Sequence, residues 1–223
     1  MSLLDRLRGG LIVSVQAWPN SPIDDPYVLA ALAAAAEKNG AVAVRIQGAA
    51  NLAAVRERVA VPILGLVKRD YEGFEPYITP TLREVREILE TGAEIVAFDA
   101  TARPRPAGAT VAGIIGAIHA AGALAMADCA TEPDGVAAVA MGADVIATTL
   151  CGYTKETQGH SLPALDLVHA FAELDIFTIC EGGIHTPADA QSAQIAGADA
   201  IVVGTAITNT DWLTQTFATA LKK

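Results

Sequence analysis

Predominantly apolar runs of four to seven residues recur along the chain at Leu11–Val15, Ala41–Ile46, Val61–Val67, Glu94–Phe98, Ala123–Ala127, Asp144–Thr148, Ile176–Cys180 and Ala200–Val203. Polar residues or glycines close each one. The runs are rich in β-branched residues and lack regular polar alternation, which predicts strands buried on both faces, as in a parallel sheet. The gaps hold Ala-, Leu- and Glu-rich segments with helical periodicity at Asp25–Asn39, Asn51–Arg58, Thr81–Thr91, Thr110–Ala121, Pro133–Met141, Leu162–Glu173, Pro187–Ala196 and Asp211–Leu221. Strand and helix alternate throughout.

The boundaries carry their own signals. Thr186-Pro187 sets a capping hydroxyl before a proline in the first helical turn, and Thr131 to Asp134 reads as another helix start. Gly40, Gly92, Gly122, Gly142 and Gly197 each separate a helix from the next strand, where glycine admits a left-handed cap. Eight strand–helix units in 223 residues fit one (β/α)8 TIM barrel over residues 1–223, a fold that needs roughly 200–250 residues. An open doubly wound sheet also alternates strand and helix. The closure of the count at eight, the glycines after strands seven and eight, and the lack of an early Gly-x-Gly-x-x-Gly fingerprint favour the barrel. In a barrel the C-terminal strand ends share one mouth, so distant residues meet there.

Composition narrows the picture. The chain is 52% hydrophobic but only 5% aromatic, which suits a core of Val, Ile, Leu and Ala and excludes a disordered chain. A formal charge of -10 argues against nucleic acid as a partner, since backbone binding requires a concentrated basic surface. A small phosphorylated ligand remains compatible, because backbone amides can meet its charge locally. The segment Met1–Arg8 has no apolar signal region, and no apolar stretch reaches the roughly 18 residues of a membrane span, so the expectation is a cytoplasmic protein with no membrane contact. Cys129, Cys151 and Cys180 show no zinc or disulfide spacing and read as buried, reduced thiols, with Cys180 beside Glu181 the one candidate catalytic thiol. His119, His160, His169 and His185 form no i, i+4 pair, and no metal is expected.

Several polar residues stand where apolar runs end. Lys68 follows the third run; desolvation and a neighbouring Arg45 or Arg69 would lower its pKa and make it a base, the alternative being a solvated loop lysine. Glu181 follows the seventh run and Asp128 the fifth; each is a proton-transfer candidate or a hydrogen-bonding loop residue. Gly182-Gly183 and Gly204-Thr205 let backbone amides approach an anion, as in barrels that hold phosphate between their last two loops, or else simply make turns. Gln16 and Arg45 emerge from strands one and two and suit orientation of hydroxyl, carbonyl or phosphate groups. His185 reads as a helix-start contact near the glycines.

Taken in order, Val13 to Ala17, Val44 to Gly48, Gly65 to Tyr71, Asp99 to Pro106, Met126 to Asp128, Thr148 to Thr154, Glu181 to Ile184 and Val203 to Thr208 resemble the N-acetylmannosamine-6-phosphate 2-epimerase family of phosphosugar barrels. The resemblance covers nearly the whole chain. It implies cofactor-independent interconversion of N-acetylmannosamine 6-phosphate and N-acetylglucosamine 6-phosphate by inversion at C2, a step of amino-sugar and sialic acid breakdown. By the same resemblance Lys68 is the proton-transfer base and Glu181 its carboxylate partner, both catalytic. Gln16, Arg45, Asp128, Tyr153 and Thr154 contact the phosphorylated N-acetylamino sugar, and Gly182, Gly183, Gly204 and Thr205 hold its phosphate. A homodimer is also implied, with Trp212, Leu213 and Phe217 as its candidate surface.

Two positions depart from the family pattern: Gln47 stands where Glu is common, and Asn209-Thr210 where Arg-Pro is common. Losing Arg at 209 removes a charged fork, for which Arg103 or Arg105 is the candidate replacement. The residues alone also admit a phosphosugar lyase or aldolase with a Lys68 Schiff base, or a noncatalytic phosphosugar sensor.

Overall fold

In a computed structural model, which describes residues 1–222, the eight apolar runs become β1 (Leu11–Val15), β2 (Ala43–Gln47), β3 (Ile63–Leu66), β4 (Ile95–Asp99), β5 (Leu124–Asp128), β6 (Val145–Ala147), β7 (Phe177–Glu181) and β8 (Ala200–Val203). Each pairs in parallel with the next, and β1 pairs with β8 through Leu11–Ile201, Ile12–Val202 and Val13–Val203, closing a barrel. The expected (β/α)8 architecture is the one observed.

Side chains on a strand alternate between its faces, and the alternation sorts this barrel cleanly. Ile12, Ala43, Leu64, Leu66, Ile95, Ala97, Met126, Val145, Ala147, Phe177, Ile179, Ala200 and Val202 form one buried cluster that fills the lumen. The intervening residues, among them Val13, Val44, Ile63, Val96, Ala125 and Ile146, pack against the helices in a second cluster. Continuing the inward set at a period of two beyond β1, β3, β6 and β8 lands on Gln16, Lys68, Thr149 and Gly204. On β5 and β7 the same parity already includes the last residues, Asp128 and Glu181.

The surrounding helices are α1 (Leu3–Leu7), α2 (Pro26–Lys38), α3 (Ala49–Arg56), α4 (Leu82–Leu89), α5 (Val111–Ala120), α6 (Glu132–Ala140), α7 (Leu165–Ala172), α8 (Pro187–Ile195), α9 (Thr205–Thr208) and α10 (Thr210–Ala220). Reciprocal capping boxes start four of them: Ser2 with Asp5, Thr81 with Glu84, Thr131 with Asp134, and Thr186 with Asp189. The glycines expected to end helices all lie at positive φ. The acid following Gly-Ala has a distinct task. Glu94, Asp144 and Asp199 accept from the amides of Ile63, Ala125 and Thr178 at 2.9, 2.7 and 2.9 Å, so the strand starts are tied together at the end away from the mouth.

Three features escape the periodic pattern. Helix α1, capped by Ser2, sends fully buried Leu7 into the lumen cluster and closes the N-terminal end of the barrel. Helix α9 is one short turn after β8. Between β3 and α4 the chain makes an antiparallel hairpin in which Lys68 bridges Ile78 and Tyr71 bridges Phe74.

Candidate active site

A cavity of about 410 Å³ opens at the C-terminal end of the barrel, within the roughly 300–1,000 Å³ typical of small-molecule sites. Gln16, Arg45, Lys68, Tyr77, Thr149, Tyr153 and Glu181 line it toward the lumen, and Gly182, Gly183, His185, Gly204 and Thr205 line the side of the last two loops.

Arg45 organises the floor. It is 1% exposed and forms a bidentate pair with fully buried Asp128, Nη2 to Oδ2 at 2.7 Å and Nη1 to Oδ1 at 3.1 Å. Its Nη1 also meets Glu181 Oε2 at 2.7 Å. Burial works against the Arg45 charge, yet the two carboxylates outweigh it and raise its pKa, so the guanidinium is a fixed cation. Asp128 therefore lies beneath the cavity rather than on its wall: both of its oxygens are taken by Arg45 and Thr149. The expectation of direct sugar contact from Asp128 gives way to a supporting position, because strand parity aims it down onto Arg45.

Lys68 projects from the hairpin into the open cavity, which leaves its surface accessible while the cavity walls crowd out much of its hydration. That desolvation, followed by the charge of Arg45, lowers its pKa from 10.5, with Glu181 and Asp128 pulling the other way. Arg69 plays no part: it turns outward to ion-pair with Glu84 and with Glu87, the latter at 3.0 Å. Glu181, the last residue of β7, moves oppositely. Burial raises its pKa from 4.5 against the opposing pull of Arg45, and the nearby Asp128 charge adds to the rise. A base made easier to deprotonate and an acid made harder to deprotonate thus share one cavity, a pattern typical of sites that move protons.

The glycine loops have the geometry of an anion cradle. Gly182 and Gly183 lie at φ +107° and +69°, and a Cβ on Gly183 would stand 2.2 Å from Leu162 Cβ. After β8, the Ile207 and Thr208 amides both donate to Gly204 O at 2.9 Å, so the amides of Thr205 and Ala206 precede the first bond of α9. His185 does more than start a helix. Its backbone amide donates to Asp189 at 3.0 Å, while its ring lines the cavity and stacks on Trp212, centroids 5.0 Å apart and planes 14° apart.

Other sequence expectations separate here. Gln16 lines the wall, its amide donating to Ser14 Oγ at 2.8 Å. Tyr153 lines it as well, but Thr154 does not: it is buried, with Oγ1 2.9 Å from Thr157 Oγ1, so its neighbouring loop turn takes it away from the cavity. Arg103 and Arg105 are held by Asp99 at the end of β4, across the barrel from β8, and leave Asn209 uncompensated. Asn209 instead caps α10, accepting from the Trp212 amide at 2.9 Å. Cys180 faces away from the lumen in a helix-packing cluster, its thiol pushed up to about 11 by burial, which removes it as a nucleophile. No group of three or more metal-ligating side chains gathers among the described residues.

Ser14, Tyr77 and Thr149 are cavity residues to which the sequence reading gave no role. Strand parity is the signal for two of them, since Ile12, Ser14 and Gln16 share a face, as do Val145, Ala147 and Thr149. Tyr77 comes from the hairpin and had no periodic signal.

Residues 29–223 match the profile of a family described as "Putative N-acetylmannosamine-6-phosphate epimerase". A protein from Escherichia coli O9:H4 (strain HS) named "Putative N-acetylmannosamine-6-phosphate 2-epimerase" is 46% identical, aligning over 100% of this chain and 99% of its own length. One of the same name from Enterobacter sp. (strain 638) is 43% identical over 99% of this chain and 96% of its own. Among solved structures, the N-acetylmannosamine-6-phosphate 2-epimerase from Clostridium perfringens superposes with a TM-score of 0.96 at 40% identity, covering 99% of this chain and 97% of that one.

Proposed function

The chain belongs to the N-acetylmannosamine-6-phosphate epimerase family, and from that premise we propose that it interconverts N-acetylmannosamine 6-phosphate and N-acetylglucosamine 6-phosphate by removing and replacing the C2 proton. The observation that carries the reading is the pairing of Lys68, with its weakened hold on a proton, and Glu181, with its strengthened one, around Arg45 in a single cavity.

In the open-chain sugar the C1 carbonyl acidifies the C2 proton. Neutral Lys68 takes it, negative charge develops on the C1 oxygen, and a donor fixed in advance stabilises that charge better than water, which must reorganise. Arg45, held rigid by Asp128 and Glu181, is the fixed cation available. Return of a proton to the opposite face of C2 inverts it. Gln16 and Tyr153 orient the sugar, while the amides of Gly182, Gly183 and Thr205, after the turn at Gly204, receive the phosphate. His185, whose ring lines the cavity beside Gly182 and Gly183, supplies a further donor.

Incubation of either epimer in D₂O tests the assignment. Deuterium at C2 together with formation of the second epimer is expected; folded protein that does neither overturns it. A Lys68 Schiff base is the other chemistry that a depressed lysine pKa favours, and borohydride trapping of a covalent adduct would mark that lyase. A noncatalytic sensor, the reading opened by Asn at 209 in place of Arg, would bind the sugar without exchange.

A cytoplasmic location and a homodimer complete the proposal. No helix among the described residues is long and apolar enough to cross a membrane. Phe217 and Leu221 on or beside α10 are 70% and 83% exposed, an apolar face suited to a second copy, whereas Trp212 is engaged with His185.

A further inference from the structure

Of the described residues that line the cavity, three are basic: Arg45, Lys68 and His185. Arg45 is taken up by two carboxylates on the floor. Lys68 comes from the hairpin after β3, four strands round the barrel from β7. On the side of the glycine cradle, His185 alone brings a side chain able to carry positive charge. Its neighbour in the chain sets it there: Ile184 is 5% exposed and packs into the cluster of Ala193, Ile201 and Val203, which pins the loop and leaves the next residue to the mouth.

The imidazole lies flat against Trp212. Their 5.0 Å centroid separation falls within the roughly 4.5–7 Å over which aromatic rings pair, and a 14° angle between planes makes the pair a stack. A stack takes up one face of an imidazole and leaves its edge, where both nitrogens sit, uncovered. No hydrogen bond among the described residues uses either nitrogen; His185 donates through its backbone amide to Asp189 Oδ2 at 3.0 Å. That oxygen also accepts from the Thr186 amide at 2.8 Å, so the carboxylate serves the helix start.

Trp212 is itself anchored, although α10 buries none of its residues. Asn209 accepts from the Trp212 amide at 2.9 Å, Asp211 accepts from Ser21 Oγ at 2.6 Å, and Thr208 donates to Ser14 O at 2.8 Å. These bonds fasten the start of α10 to β1 and to the loop after it. Asn209 carries no charge, yet its cap fixes the residue on which the imidazole rests.

We propose that the Trp212–His185 stack recognises phosphate in this chain in place of a charged fork at 209: the imidazole edge donates to the phosphate oxygens beside Gly182-Gly183, and Trp212 is the positioning residue that sets the plane of the ring. An imidazole offers one N–H when neutral and two when protonated, and the bond to a phosphate oxygen is charge-assisted in either state. The kinetic part of this assignment rests on the epimerase reading; the binding part does not.

The experiment therefore starts with binding. Protein carrying ¹⁵N-labelled histidine is titrated at constant pH with inorganic phosphate and then with N-acetylmannosamine 6-phosphate, and the ring resonances of His185 are identified as those missing in His185→Ala. They move to saturation with both probes, while those of His119, His160 and His169 stay in place. By calorimetry His185→Ala weakens binding of the sugar phosphate about 10- to 100-fold, the loss of one charge-assisted hydrogen bond, and His185→Gln, which keeps a neutral donor, recovers part of it. Trp212→Ala reproduces the loss and Trp212→Phe, which keeps an aromatic face, restores binding; neither change removes core packing. A His185 ring silent to both probes, or unchanged affinity in His185→Ala, overturns the assignment, and unchanged affinity in Trp212→Ala overturns the positioning role. In turnover His185→Ala raises KM by the same factor with kcat unchanged, the mark of uniform binding; a fall in kcat at constant KM would overturn a role in phosphate recognition. Wild-type protein with no C2 exchange but the His185 response intact would overturn the epimerase reading and leave the stack's assignment standing.

Discussion

Lys68 and Glu181 are drawn toward each other in proton affinity, one below 10.5 and the other above 4.5, and that convergence makes a proton exchange between them and a carbon acid feasible near neutrality. On the proposed function, activity requires the singly protonated form of the Lys68–Glu181 pair. It rises with pH as the doubly protonated site loses its first proton and falls when the remaining one is lost. The pH dependence of kcat/KM is therefore a bell with both limbs inside the 4.5–10.5 interval, and its apparent pKa values belong to the pair. A flat profile across that interval would contradict the pairing. Lys68→Ala should lose about 10²- to 10⁴-fold in C2 exchange, the usual contribution of general acid–base catalysis, while calorimetry still detects sugar-phosphate binding. At this scale the sequence identified the residue types, but not who touches whom. Arg69 looked as close to the mouth as Arg45, and only the packing of the hairpin on α4 turns it away. Asp128 looked like a wall residue until Arg45 occupied its oxygens.

Strand and loop ends decide the rest of the site. Gly183 combines a positive φ with a backbone so close to Leu162 that a Cβ has no room. Gly183→Ala should cost about 1–3 kcal/mol in local strain and move the amides of the cradle, so KM for the sugar phosphate rises by about tenfold, or ~1.4 kcal/mol, in steady-state assays. Unchanged KM would show that this loop does not hold the phosphate. The strands and most helices were legible from apolar runs, caps and helix-ending glycines, because those signals are local. The hairpin carrying Tyr77, the inward turn of Thr154 and the short α9 were not, since each is set by contacts with another element. Thr149 lay between these cases: period-two counting along β6 reaches it, but the strand reads as uniformly buried and hides its parity.

For the molecule as a whole, the barrel separates stability from chemistry along its axis. At the N-terminal end Leu7 plugs the lumen, and Glu94, Asp144 and Asp199 bind the strand starts together. Leu7→Ala should lower unfolding free energy by about 2–5 kcal/mol in urea titrations, with kcat for the folded enzyme unchanged; a parallel fall in kcat would show that the two ends are coupled. The sequence by itself determined the alternation of eight strands and helices, the apolar interior and the arrival of Gln16, Lys68, Asp128 and Glu181 at strand ends, because hydrophobic periodicity, capping and turn preference act over a few residues. Only the closed tertiary structure decided that Asp128 and Glu181 converge on Arg45, that Asn209 caps a helix, and that Arg103 and Arg105 stay across the barrel from the glycine cradle. Those outcomes depend on distances between strands far apart in the chain, which parity and closure fix together and no local pattern encodes.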